Sequence, residues 1–184
     1  MGSAPDTARL FLALWPSEGV REALLAWRDG WRWPRGATPV QAERLHLTLH
    51  FIGSVPRARL PELADGLQVP FRPFDLKLGH PALWKYGIAV LEPDVVPEPL
   101  LELQAALGAA LHRLGLPPEQ RPYRPHVTLA RRADGAIPPA DGPPIRWRAR
   151  SYALMQSKLG PEGQYTTLEK FTKTGVSADI RTFK

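Results

Sequence analysis

Apolar and polar residues alternate with period two in RLFLALWP (9–16). Leu10, Leu12 and Leu14 fall on one side, Phe11 and Ala13 on the other, which predicts a strand. Pro16 stops it, and Ser17 is a good N-cap for the helix EGVREALLAWRDG, whose Val20, Leu24 and Trp27 recur at helical spacing. WPRGATPVQ reads as loop. Alternation returns in RLHLTLHFIG (44–53), a strand closed by Gly53. PRARLPELADGLQVP holds a short helix ending near Gly66, and FRPFDLKLGH is a strand with His80 in the turn that follows. ALWKYGIAVLEP (82–93) continues the strand run. Pro97 and Pro99 then introduce the strongest helix, EPLLELQAALGAALHRLG, with Leu100, Leu103, Leu107, Ala110, Leu111 and Leu114 as its apolar stripe and Gly115 as its stop. PYRPHVTLARR is a strand bounded by prolines, and ADGAIPPADGPP is loop. Two last strands, near 145–157 and 164–173, are separated by GPEG.

The order strand–helix–strand occurs twice, and each round ends in a strand carrying H-x-T. Short strand-to-strand connections favour an α+β chain with antiparallel or mixed sheets over a doubly wound parallel one. A single domain over 1–184, made of two similar lobes that face one another, explains the repetition most economically.

Those two strands pose the chemical question. Side chains two apart on a strand share a face. His46 and Thr48 therefore point one way while Leu45, Leu47 and Leu49 anchor the strand; His126 and Thr128 stand likewise against Val127 and Leu129. With five histidines and nine threonines in the chain, chance supplies roughly a quarter of one such triplet, so one match is weak and two at strand parity are not. Cleaving a phosphodiester in line takes a base on the attacking oxygen and an acid on the departing one, and imidazole serves as either near neutral pH. A hydroxyl two residues along can donate to a non-bridging phosphoryl oxygen as charge shifts in the transition state.

Composition narrows the field further. The 184 residues are 43% apolar, enough for a core, and contain no cysteine. Disulfides, thiolate metal sites and a cysteine nucleophile are therefore excluded. Twenty-four Lys and Arg against eighteen Asp and Glu give +6, a balance that favours polyanionic partners such as nucleic acid. No apolar run approaches a membrane span, and the N-terminal stretch lacks the layout of a secretory signal. The expected location is the cytoplasm, without membrane association.

RLFLAL, LHLTLHFIG, RPYRPHVTLAR and GQYTTLEKF, which together sample nearly the whole chain, resemble the 2H phosphoesterase superfamily, specifically its 2′-5′ RNA ligase-like branch of RNA 2′,3′-cyclic phosphodiesterases. The resemblance implies a bilobal α+β fold in which two antiparallel sheets line a central cleft, helices cover the outer faces and each lobe supplies one H-x-T motif. It also implies metal-independent, cofactor-free hydrolysis of a terminal 2′,3′-cyclic phosphate on RNA, or on small cyclic nucleotides, to a 2′-phosphate. Family members also join or cut 2′-5′ linkages. By position, His46 would protonate the departing 3′ oxygen, His126 would activate water, and Thr48 and Thr128 would hold phosphoryl oxygens. A monomer is expected.

Other positions stay open. Arg131 matches a family arginine and would contact phosphate or stack on a base, but strict alternation turns it away from His126 unless the strand ends or bulges near Ala130. Phe11 either lines the cleft against a nucleobase or is ordinary packing. His50 departs from the family pattern. Parity places it on the His46 face, where it reads as a partly exposed residue at the strand's end. Arg146, Arg148 and Arg150 form a row that either borders the cleft or is a solvated edge, and His112 reads as a surface residue. The rival functions are a 2H phosphoesterase for another small cyclic nucleotide or 2′-5′ oligoadenylate, a non-catalytic RNA-binding protein, and a metal hydrolase using His46, His50 and His126.

Overall fold

A computed structural model describes residues 6–158, 163–173 and 175–176; the GPEG connection falls almost wholly outside them. The strands are β1 (Thr7–Leu14), β2 (Thr38–Pro39), β3 (Leu47–Pro56), β4 (Phe74–Trp84), β5 (Ile88–Pro93), β6 (Val127–Arg131), β7 (Ile145–Ala149), β8 (Ser151–Ser157), β9 (Tyr165–Thr172) and β10 (Gly175–Val176). The helices are α1 (Glu18–Gly30), α2 (Leu60–Gly66) and α3 (Glu98–Arg113). All pairings are antiparallel, in the order β10-β9-β8-β1-β3-β6-β5-β4-β7, with β2 beside β6. The expected α+β architecture is present.

The two expected sheets are joined into one. The halves β9-β8-β1-β3 and β6-β5-β4-β7 meet through a single residue pair, Leu47 opposite Val127. One face of this sheet carries the core: Leu10, Leu12 and Leu14 pack there with Val20, Leu24 and Trp27 of α1 and with Leu100, Leu103 and Leu107 of α3. Fully burying a leucine contributes about 1.5–3 kcal/mol, so this apolar seam fixes which way every strand faces. Phe11 and Ala13 point to the opposite face, with Ala153, Met155, Trp15 and Tyr165.

Several expectations change: β3 begins at Leu47 and runs past Gly53 to Pro56, and Thr38–Pro39, expected in a loop, forms β2. Residues 74–93 form a hairpin rather than one long run, because Tyr86 and Gly87 take positive φ of 64° each and turn the chain. His80 consequently sits within β4, paired with Glu92, and not in a turn. The stretch 145–157 splits at Arg150, and its two parts join opposite halves of the sheet, β7 on β4 and β8 on β1. β7 is the edge strand there, and Arg146 and Arg148 are exposed on it, with Arg148 paired to Asp75 at 2.7 Å. The arginine row is a solvated edge. His112 is exposed on α3.

Candidate active site

The Leu47–Val127 pair has a direct consequence for the residues beside it. In antiparallel register, His46 lies near Thr128 and Thr48 near His126, all four on the face away from the core. They line one cavity of about 540 Å³, together with Arg9, Phe11, Arg44 and Arg131. No acidic residue is among its described lining residues, so its potential is positive.

The two strands repeat each other more deeply than H-x-T. Each reads R-x-H-x-T, from Arg44 and from Arg124. The Nδ1–H of His46 donates to the Arg44 carbonyl at 2.6 Å, and that of His126 donates to the Arg124 carbonyl at 2.7 Å. A carbonyl can only accept, so both rings carry a lone pair on Nε2 when neutral. Each arginine also covers an aromatic ring that packs on its histidine. Arg44 lies 4.8 Å over Tyr165, and Arg124 lies 4.5 Å over Trp84. Tyr165 is 5.4 Å from His46 and Trp84 is 4.3 Å from His126.

The halves differ in electrostatics. His46 is pushed down to about 4, chiefly by burial; its backbone bond opposes this, and nearby His126, Arg44 and Arg131 add to it. Thr48 Oγ1 lies 3.1 Å from its Nε2. His126 is also lowered by burial, but its backbone bond and the charge of Glu92 resist. Glu92 is 8% exposed and holds Arg124 through two hydrogen bonds of 2.5 and 3.0 Å.

Bulges decide the remaining positions. In β3, Leu12 pairs with His50 and Ala13 with Thr48, leaving Leu49 as an extra residue. An extra residue reverses the alternation beyond it. His50 is therefore buried, not partly exposed at a strand end, and its Nε2–H donates to the Gln104 carbonyl of α3 at 2.7 Å. It has left the His46 face, so the three-histidine metal reading fails. Phe51, 46% exposed, takes the cavity face in its place. β6 has the matching bulge: Val90 pairs with Thr128 and Ala89 with Ala130, leaving Leu129 extra. Arg131 thereby reaches the cavity. Phe11 lines the cavity floor, 4% exposed, with its ring 5.0 Å from both His46 and Tyr165.

A family model described as the 2′-5′ RNA ligase superfamily matches residues 17–160. The chain belongs to this superfamily. Its similarity to an RNA 2′,3′-cyclic phosphodiesterase of Thermus thermophilus is 36% identity over 190 residues, 91% of each chain. A protein of that name from Escherichia coli K12 is 32% identical, covering 92% of this chain and 98% of the relative. The superfamily fold is equally plain in solved structures. Escherichia coli LigT complexed with 3′-AMP superposes with a TM-score of 0.83 at 28% identity, over 91% of this chain and 99% of that one. A structure from Thermus thermophilus matches with a TM-score of 0.73 at 32% identity, covering 91% of this chain and 98% of that one.

Arg9, Phe51 and Tyr165 in the cavity lining escape a reading of the sequence alone, as do four residues placed around the histidines. Arg44 and Arg124 are legible in principle, since both stand two before a histidine in the repeated motif. Trp84 and Glu92 carry no local signal; the hairpin of β4 and β5 delivers them beside His126 and Arg124.

Proposed function

We propose that this chain hydrolyses 2′,3′-cyclic phosphate ends of RNA to 2′-phosphates, with His46 and His126 as the acid–base pair. The observation that carries the reading is the duplicated R-x-H-x-T geometry. Two imidazoles with the same tautomer stand at the starts of adjacent strands at one basic cavity. Relatives that this chain matches over nine-tenths of its length bear the name of that activity.

The cyclic end enters the cavity with its phosphate between the two strands. Water attacks phosphorus from the His126 side and gives its proton to His126 Nε2. The P–O3′ bond breaks on the opposite side, and His46 protonates the departing 3′ oxygen. A phosphoryl anion beside His46 raises its affinity for the proton that this step needs, offsetting the burial that otherwise keeps the ring neutral. The Thr48 and Thr128 hydroxyls donate to the non-bridging oxygens, where negative charge grows. Arg131, Arg44 and Arg9 hold the phosphates of the RNA backbone.

The test is incubation of the purified protein, with chelator present, with an RNA oligonucleotide ending in 2′,3′-cyclic phosphate. A 2′-phosphate end is expected. A 3′-phosphate, or an unchanged end, defeats the reading.

A further inference from the structure

Phe11, Ala13 and Trp15 lie on the face away from the leucines of the core. The register of β1 with β3 ends at Leu14 opposite Leu47, so the next step brings Trp15 beside His46. The two rings stack, with centroids 5.5 Å apart and planes only 10° from parallel. Phe11 lies 5.0 Å from the imidazole at a tilt of 38°, and Tyr165 lies 5.4 Å away, nearly perpendicular at 86°. Trp15 and Tyr165 meet edge to face at 6.2 Å. Three aromatic rings thus surround His46, and the indole is the one that lies flat on it. Trp15 is not among the described residues that line the cavity, so it meets the site through His46 and not through substrate.

The two histidines hold a proton by different means. The charged and titratable groups that bear on His46 are Arg44 just before β3, His126 just before β6 and Arg131 at the end of β6, and all three disfavour its proton. Arg9 and Lys158 add positive charge at the same cavity. Tyr165 of β9 accepts a hydrogen bond at its hydroxyl from Arg44 at 3.2 Å. Of the groups facing His46, only the Arg44 carbonyl favours the charged ring. Glu92 does this for His126, and no described carboxylate does so for His46. An aromatic face is electron-rich and attracts a cation, indole most strongly. It also favours the cation without adding a negative charge that would repel an incoming phosphate.

We infer that Trp15 is a positioning residue for the reaction: its indole, stacked flat on His46, favours the charged imidazolium that gives its proton to the departing 3′ oxygen. The inference rests on the function proposed above and adds to it the residue that keeps the acid charged. Trp15 thereby stands to His46 as Glu92 stands to His126, one acting through a π face and the other through a carboxylate.

The test follows the His46 ring by NMR through a pH titration of the free protein, its resonance assigned with His46→Ala. The same variants are assayed for kcat/KM on adenosine 2′,3′-cyclic phosphate. Trp15→Leu keeps apolar cover over the ring and removes the π face, whereas Trp15→Phe keeps a face with a weaker field. The His46 midpoint should fall by about 0.5 or more in Trp15→Leu, the scale of one cation–π contact, and return most of the way in Trp15→Phe. The optimum kcat/KM should fall about threefold or more in the leucine variant, as the charged ring becomes scarcer by that factor, and recover with phenylalanine. An indole that only shields the ring from water gives the opposite sign, because wetting a buried imidazole raises its midpoint. Should the leucine variant not fold, Trp15→Met takes its place with the same expectations. An unchanged or raised midpoint in the folded variant, or a lowered midpoint with wild-type kcat/KM, overturns the inference and leaves the proposed function standing. A wild-type protein that fails to open the cyclic phosphate overturns that function, while the titration still decides whether Trp15 holds the charge on His46.

Discussion

Leu47 and Val127 are the one pair of residues through which the two halves of the sheet are hydrogen-bonded as strands β3 and β6. Both are fully buried on the core face. Because neighbouring positions on a strand face opposite ways, that apolar contact obliges His46, Thr48, His126 and Thr128 to gather on the other side. The candidate chemistry is thus positioned by a hydrophobic pair that takes no part in it.

The first prediction concerns pH. Burial lowers both imidazoles, His46 to about 4. One must be charged and the other neutral for turnover, so kcat/KM should be bell-shaped with both limbs below the ordinary histidine value of about 6.5. Saturating substrate brings a phosphoryl anion to both rings, so the kcat profile should lie to the alkaline side of the kcat/KM profile. A rate that climbs steadily from acid to alkaline pH would contradict the assignment.

Glu92 should set one limb of that bell. Its carboxylate favours the charged form of His126 and neutralises Arg124. Glu92→Gln removes the favourable charge and leaves Arg124 unpaired, both of which lower His126. One limb of the kcat/KM profile should move to lower pH while the His46 limb stays. Equal movement of both limbs would indicate a general disturbance instead.

Stability should carry the mark of His46 as well. Its folded value lies below its unfolded one, so the unfolded chain binds the extra proton. Stability from this group is complete above about pH 6.5 and is lost as pH falls toward 4, by at most about 3 kcal/mol. In urea unfolding, His46→Asn should flatten the pH dependence across that window. A slope as steep as that of the wild type would show that the buried ring is not its source.

His50 separates structure from chemistry. His50→Ala removes a buried ring and the hydrogen bond it gives the Gln104 carbonyl, and should cost about 1–3 kcal/mol in urea unfolding. Cyclic phosphate turnover, measured well below the melting temperature, should fall far less than in the His46 or His126 variants. Loss of activity as deep as theirs would place His50 in the reaction.

How much of this is legible in the sequence depends on where the alternation is regular. Positions 44–48 and 124–128 keep strict parity, and the histidines and threonines can be assigned to a face from spacing alone. Leu49 and Leu129 break the parity, and nothing in either residue announces a bulge. That is why alternation puts His50 on the wrong face and gives no hint of Phe51. Arg131 needs a bulge near Ala130 to reach the cavity, and the extra residue stands one position earlier. The split at Arg150 is hidden because β7 and β8 each alternate normally, and only their partners, β4 and β1, differ. Trp84 and Glu92 reach the site by tertiary pairing, from a hairpin well before the second motif in sequence.

The most direct test of two imidazoles acting on one phosphorus is the steady-state turnover of adenosine 2′,3′-cyclic phosphate by His46→Ala and His126→Ala, each shown to be folded. Each single variant should lose roughly 10²–10⁴-fold, with Thr48→Ala and Thr128→Ala losing less. Wild-type turnover in either folded histidine variant would contradict the account.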